Sequence, residues 1–580
     1  MTKLLQKKNL FDRLWSTLQE HYEVASSPDS FLHMVEHRIG TDPMQPSSAS
    51  LYERTPIHQG VTRPKQDYSE IGRFDRIWWA GHWVPLITMQ HAFTLGSPGS
   101  GKTLHGSCTF ASAVEAVLSC PDRKLVVFDT KGDYRRYLEG MHYRWGLPIY
   151  YQTLNISDLL CSGWDVAADF DEYAKLYELA FVLFPEVKGD NAFFQDAARA
   201  VAIAVMSSFT YRFGRDWTLA DLYNALTLDV PTLIKIVEGF PRGRDVINLL
   251  LTTEAGETLD NIRMNLLTRI DRLNIAAAHS QETKSGLLSL REFLESPDKQ
   301  ILVISQDLTA EAVSRPIVQA AFKRLTDFIN AREGVEIPPD TFIFIDELEF
   351  IGLLPGLQKA ANFARGKGLI LFLMSQSVEG LYRVYGKEAA DVILGDCPYK
   401  VFFRSDSVTT ARWIQDLIGQ RELWEPHWST TYSPQGVNVS YGRQRKVEYS
   451  VLASDLRKLP KPTREGGLHG IFLSEEYGDE LWKTLPSSEL SQRLPPMADY
   501  ATQPLKPKDQ IIDRWSPAKK AKFVHERSAK SMPEPTPYEV AQPVLSLFEK
   551  ELRAEIFDLF QARAFPLIEK ALRGRLSCED

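Results

Sequence analysis

Apolar positions along this chain keep two rhythms. In the first, short unbroken runs recur at 92–95, 125–129, 301–305, 341–345, 369–375, 399–403 and 470–473. Runs without polar alternation are what strands buried on both faces require. Segments with a helical repeat, such as 104–117 and 315–330, lie between them. Strand and helix in alternation predict an α/β fold with a mostly parallel sheet covered on both sides. From 166 to 297 only the helical repeat is present, over 173–183, 192–211, 219–226 and 258–273. Thr218 with Asp221 three residues on reads as a capping box at the start of one of these helices. No strand-like run interrupts the stretch, so it reads as an all-α domain inserted into the α/β one.

The two ends keep neither rhythm for long. Over 3–22, Leu10, Leu14, Leu18 and Tyr22 recur every four residues beside Lys3, Lys7, Lys8 and Arg13. That predicts an amphipathic helix, packed on its own domain or docked on a partner or membrane surface. Residues 40–70, rich in Pro, Ser and Gln, read as loop. Trp78, Trp79 and Trp83 stand just before the first strand and read as core or subunit-contact aromatics. Beyond Pro486, interspersed prolines and lysines predict a linker or extended arm. A last amphipathic helix follows over 544–565, broken by Pro566.

Composition narrows the classes. At 580 residues the chain exceeds what one compact core accommodates, so two or three domains are expected. A net charge of −8 offers no basic surface for coating a polyanion, so any nucleic-acid contact has to be a local patch such as a pore lining. The cysteines (Cys108, Cys120, Cys161, Cys397 and Cys578) are scattered, with no CxxC pair. That points to a reducing compartment and away from a zinc ribbon or disulfide framework. No apolar stretch reaches the roughly 18 residues a spanning helix needs, and no signal peptide is expected. A cytoplasmic chain is expected, either soluble or attached peripherally at the inner membrane.

One loop turns this pattern into chemistry. Gly96, Ser97, Pro98, Gly99, Ser100, Gly101, Lys102 and Thr103 follow the 92–95 strand and open the 104–117 helix. The glycines let several N–H groups converge on one anion at the positive end of that helix. Lys102 is placed to reach the β- and γ-phosphates of a nucleotide, and the Thr103 hydroxyl to ligate Mg2+. The 125–129 strand ends in Asp129, followed by Thr130-Lys131-Gly132-Asp133. Ligands gather at the carboxyl ends of strands in open α/β sheets, so Asp129 and Lys131 are expected near the nucleotide or a subunit contact. The 341–345 strand ends in Asp346-Glu347. Asp346 is expected to hold the magnesium directly or through water, and Glu347 to polarise the attacking water. The two halves together predict ATP hydrolysis. Gln376, which ends the neighbouring strand, is placed to sense the γ-phosphate or orient water. Arg365 and Arg404 are both candidates for an arginine finger acting across a subunit boundary.

These motifs, at these spacings, resemble the type IV coupling proteins, TraD/TraG-like ATPases of the RecA-like, FtsK/HerA class. The resemblance rests on the 96–103 loop, Phe128-Asp129-Thr130-Lys131-Gly132-Asp133 and Phe344-Ile345-Asp346-Glu347-Leu348. It extends through 353–360, Ala364-Arg365-Gly366-Lys367-Gly368, Ser375-Gln376-Ser377 and 381–387, with the aromatic-rich 190–194 in the helical insertion. It spans about 60–480 and implies a RecA-like P-loop NTPase domain at the boundaries of a homo-hexameric ring. It also implies a DNA-translocating motor that delivers a relaxase–DNA complex or protein effectors to a type IV secretion channel. By the family's motif, Arg365 matches the trans-acting arginine and Gln376 the γ-phosphate sensor. Typical members begin with two transmembrane helices, and none is legible here. A separate membrane-anchor protein is therefore an expected partner, besides DNA and relaxase or secretion-system proteins.

The domains expected are 1–60 (amphipathic helix and loop), 61–165 and 298–484 (the two parts of the nucleotide-binding domain), 166–297 (all-α) and 485–580 (linker and helical arm). Two other functions fit the same residues. One is a soluble HerA/FtsK-like translocase in defence or repair. The other is a nucleotide-gated recruitment platform, in which the helical insertion and the arm bind substrate proteins.

Overall fold

A computed structural model describes residues 74–524, apart from 186–191, 239, 241–242, 244–255, 335 and 434–435. The expected helices over 3–22 and 544–565 and the 40–70 loop lie outside the described residues. The chain divides after Trp515. In the second unit, which starts at Ser516, residues Pro517–Val524 form a helix.

In the first unit, β1 (Arg76–Trp79) and β2 (His82–Pro85) make a short antiparallel hairpin. β3 (Ala92–Leu95) leads through the glycine loop into α1 (Lys102–Leu118). β4 (Lys124–Asp129), α2 (Asp133–Trp145) and β5 (Tyr151–Leu154) follow. The chain then passes through β6 (Gly163–Trp164) into the helices α3 (Tyr173–Leu183), α4 (Ala192–Phe213), α5 (Leu219–Leu226), α6 (Val230–Val237), α7 (Gly256–Ile270) and α8 (Asn274–Glu282). The capping box forms as expected, with the Thr218 hydroxyl accepting from the Asp221 N–H and the Asp221 carboxylate accepting from the Thr218 N–H. One strand does interrupt the helical run. β7 (Leu287–Leu288) lies parallel to β6, and a two-residue strand carries too little pattern to be read from sequence.

The sheet then resumes with β8 (Ile301–Ser305), α9 (Glu311–Asn330), β9 (Ile337–Ile345), β10 (Lys367–Ser375) and β11 (Tyr399–Phe402). A long hairpin, β12 (Gln420–Ser433) and β13 (Gly436–Tyr449), precedes β14 (Leu468–Leu473) and β15 (Glu480–Leu485). Nine strands form one sheet in the order β15-β14-β11-β3-β10-β9-β4-β8-β5. From β11 to β5 all neighbours are parallel, and β14 and β15 add antiparallel at one side. Registers such as Phe372↔Phe344 and Val127↔Phe344 bring the carboxyl ends of β3, β10, β9 and β4 to one edge. Every residue of β3 and β4 is buried, which is why the stretch Leu125 to Phe128 and all of β3 but Thr94 are apolar.

Helix α1 is buried almost throughout, from Phe110 and Val114 to Val117. The hairpin tryptophans settle as core on its amino end: Trp78 and Trp79 are essentially inaccessible and pack on the His105 ring. Burial pushes the His105 pKa down to about 3, so this imidazole is neutral and accepts the Ala80 N–H.

After β15 and the short helix Ser487–Arg493, the chain does not leave the fold. It runs back along α2, past the 155–162 loop, and reaches α5 and α8 at Asp513, Arg514 and Trp515. This segment is a strap laid across the unit.

Candidate functional site

The loop between β3 and α1 is fixed from both sides by backbone hydrogen bonds. The Gly96 N–H donates to the Ser375 carbonyl at the end of β10, and the Ser97 N–H to the Arg404 carbonyl after β11. The Ser97 hydroxyl also accepts the Asp406 N–H at 2.7 Å. Gly101 caps α1 with φ +104°, and a Cβ there would stand 2.3 Å from Leu468 Cδ1. Gly101→Ala therefore meets both a left-handed backbone and a filled space. We expect it to cost about 2–4 kcal/mol, read as a lower urea midpoint together with weakened nucleotide binding. A variant as stable as the parent would show that the loop relaxes.

Lys102 is buried and folds back on its own loop, Nζ donating to the Gly96 carbonyl at 2.5 Å. Burial holds its pKa below the ordinary lysine value, opposed by the nearby Glu347 carboxylate. Opposite it stand the ends of β9 and β4. Asp346 accepts from the Thr130 hydroxyl at 2.8 Å and from the Thr130 N–H at 3.2 Å. Glu347 is only 1% exposed; its Oε1 accepts from Lys131 Nζ at 2.5 Å and from Gln376 Nε2 at 3.1 Å. Its Oε2 is buried with no hydrogen-bond partner, as is the Ser100 hydroxyl.

Asp129 has its two oxygens occupied by the Gly132 and Arg135 N–H groups, at 2.8 and 3.0 Å, and so caps α2. Burial raises the pKa of both Asp129 and Asp346 above the usual carboxylate range, and for Asp346 the Asp129 charge adds to it. Thr103 and Asp346 line one small cavity together with Lys102, Lys131 and Asp133. A hydroxyl and carboxylates form an all-oxygen donor set, which suits a magnesium ion.

The fold thus brings Gly96 through Thr103, Asp129, Asp346, Glu347 and Gln376 to one sheet edge. It does not bring Arg365 there. That residue is exposed in a short turn just before β10, whereas Gln376 follows the end of the same strand. Nine residues at ~3.3 Å each put the two roughly 30 Å apart. Arg404 lies beside the loop, with its guanidinium on Asp406 at 2.9 Å.

Two groups stand out that the motifs alone did not single out. Thr130 holds Asp346, which only the β4–β9 register reveals. Glu349 accepts the Gln376 N–H and lines an open cleft beside the loop with Ser97, Pro98, Gln376, Arg383 and Ser407. Among the described residues no helix is long and apolar enough to cross a membrane.

Comparison with known proteins bears on this geometry. The family described as the type IV secretion-system coupling protein DNA-binding domain matches residues 84–469. No curated protein matches the chain. Among solved structures the chain is similar to the bacterial conjugative coupling protein TrwBdeltaN70 in a trigonal form with sulphate. The TM-score is 0.56 at 18% identity, over 80% of this chain and 99% of that one. It is also similar to the plasmid coupling protein TrwB in complex with ADP and Mg2+, with TM-score 0.53 and 18% identity over 78% and 98% of the two chains. Against TrwB with a non-hydrolysable ATP analogue the figures are 0.53 and 19%, over 77% and 94%. At these identities the likeness concerns the fold.

Proposed function

Because this chain belongs to the type IV secretion-system coupling protein family, we propose that it is an ATP-hydrolysing motor that moves DNA, working as a homo-hexamer. It would hand DNA or a relaxase–DNA complex to a transfer channel, docked at the inner membrane through a separate anchor protein. The observation that carries the proposal is Glu347, a buried carboxylate beside the phosphate-loop lysine with one oxygen held by Lys131 and Gln376 and the other unpartnered. A carboxylate oriented in this way can accept a proton from water attacking a γ-phosphate.

In this reading Lys102 leaves the Gly96 carbonyl to meet the β- and γ-phosphates, which the N–H groups of Gly101, Lys102 and Thr103 at the start of α1 hold within the 96–103 loop. Thr103 and Asp346 would hold Mg2+, which supplies charge neutralisation at the phosphates. Gln376 orients the water and reports the γ-phosphate through its bond to Glu347. Asp129 serves the site by anchoring the 129–135 loop that carries Thr130 and Lys131. Arg365 acts in the site of a neighbouring copy.

The test is ATP turnover with and without DNA, together with electron microscopy of the protein, DNA and a non-hydrolysable analogue. Turnover is expected to rise several-fold with DNA, and rings are expected to enclose a strand. Turnover indifferent to DNA and particles without a ring would refute the motor.

A further inference from the structure

The strap from 494 to 515 has no part in the chemistry above, yet it touches the loop that holds the acidic pair. Its first contacts lie on α2. The Ala498 N–H donates to the Arg136 carbonyl, and Asp499 pairs with Arg136 at 3.0 Å. Gly140 of α2 lets the strap lie flush, since a Cβ there would stand 1.8 Å from the Pro496 oxygen. Tyr500 then reaches the first turn of α2. Its ring lies 3.9 Å from the Arg135 guanidinium, and its hydroxyl 3.1 Å from where a Gly132 Cβ would be.

Gly132 and Arg135 are the residues whose N–H groups hold Asp129, and between Asp129 and Gly132 lie Thr130 and Lys131, which bond Asp346 and Glu347. The Arg135 side chain is enclosed, meeting Tyr151 and Asp158. Asp158 in turn receives the Gln503 N–H at 2.8 Å, and its carbonyl bonds His279 of α8. The strap ends on the all-α domain. The Trp515 indole N–H donates to Asp221 at 2.8 Å, and Asn224 donates to the Asp513 carbonyl at 3.0 Å. One continuous set of contacts therefore runs from helices α5 and α8 to both acidic residues.

We propose that Tyr500 and Arg135 are positioning residues for hydrolysis, tying the loop that holds Asp346 and Glu347 to the all-α domain through the strap. A displacement of that domain by DNA shifts the strap, and Tyr500 passes the shift to the loop. The inference rests on the motor reading above. Its connecting element, the 494–515 strap, lies outside the matched 84–469 segment.

The test compares DNA-stimulated with DNA-free kcat in one preparation, a ratio that does not depend on the folded fraction. Tyr500→Ala is expected to reduce the stimulation about three- to thirtyfold, and Tyr500→Phe, which keeps the ring on Arg135, to restore it. Trp515→Leu acts at the far end, away from the nucleotide, and is expected to lose stimulation while its DNA-free rate stays at the parental value. If the parent is stimulated and both Tyr500→Ala and Trp515→Leu keep the parental ratio, the linkage is refuted. If both instead melt far below the parent, the strap is a stabiliser only and the inference falls. Should one of them fail to fold, the other decides. A parent with no DNA-stimulated turnover refutes the motor reading itself, a distinct result.

Discussion

Glu347→Gln should bind ATP and fail to hydrolyse it. Glutamine keeps the volume of a side chain that is almost wholly inaccessible, so the strand end should hold its shape. What disappears is the charge that Lys131 and Gln376 orient and the free oxygen that takes the proton. A positioned general base is worth about 10²–10⁴-fold, and turnover should fall by that much. Affinity for ATP should hold or rise, because a carboxylate no longer faces the γ-phosphate. Phosphate release and binding of a fluorescent ATP analogue check the two halves of the prediction. Turnover within a few-fold of the parent would mean that another group activates the water.

The second large effect belongs to Arg365→Ala. This arginine is exposed and sits at the end of β10 away from the phosphate loop, too far to meet a nucleotide bound to its own chain. An arginine reaching in from a neighbour stabilises charge on the departing phosphoryl group and is worth about 10³–10⁵-fold, the loss expected here. Mixing separates this role from a structural one. In the proposed ring each of Arg365→Ala and Glu347→Gln should be inactive alone, whereas a mixture should contain some boundaries with an intact glutamate facing an intact arginine. Part of the activity should return on mixing, and none returning would exclude the trans role. Arg404→Ala should lose far less, because its backbone carbonyl holds the Ser97 N–H whatever the side chain is.

Much of this could be read from the residues. Unbroken apolar runs identify β3, β4, β8, β9, β10 and β11 because a parallel sheet buries both faces of each strand. The loop at 96–103 and the Asp346-Glu347 pair stand out because phosphate and metal impose residue types at set spacings. The expectation that Lys131 lies near the site becomes a specific contact, with Glu347.

Other parts leave little trace in a sequence. The β12–β13 hairpin is a two-stranded ribbon ~45 Å long at ~3.4 Å per residue, and its described side chains are largely exposed and polar. Among its described residues, cross-strand pairs such as Arg421 with Glu448 join charged side chains rather than apolar ones. The strap is held by backbone groups and single side chains along an extended, proline-containing path, and such contacts have no period.

The strap also has a mechanical consequence. The all-α domain is entered through β6 and left through β7, and these two strands lie side by side. The helices also rest on α9 of the sheet domain, where Lys323 pairs with Glu178 of α3 at 3.3 Å. The strap adds a stay, fixed to the sheet domain along α2 and to the helices at Trp515. Load that turns the helices is then shared among the β6–β7 seam, the α9 contacts and the stay. A single cut in the strap between 504 and 513 would soften that motion while leaving every residue of the nucleotide site in place.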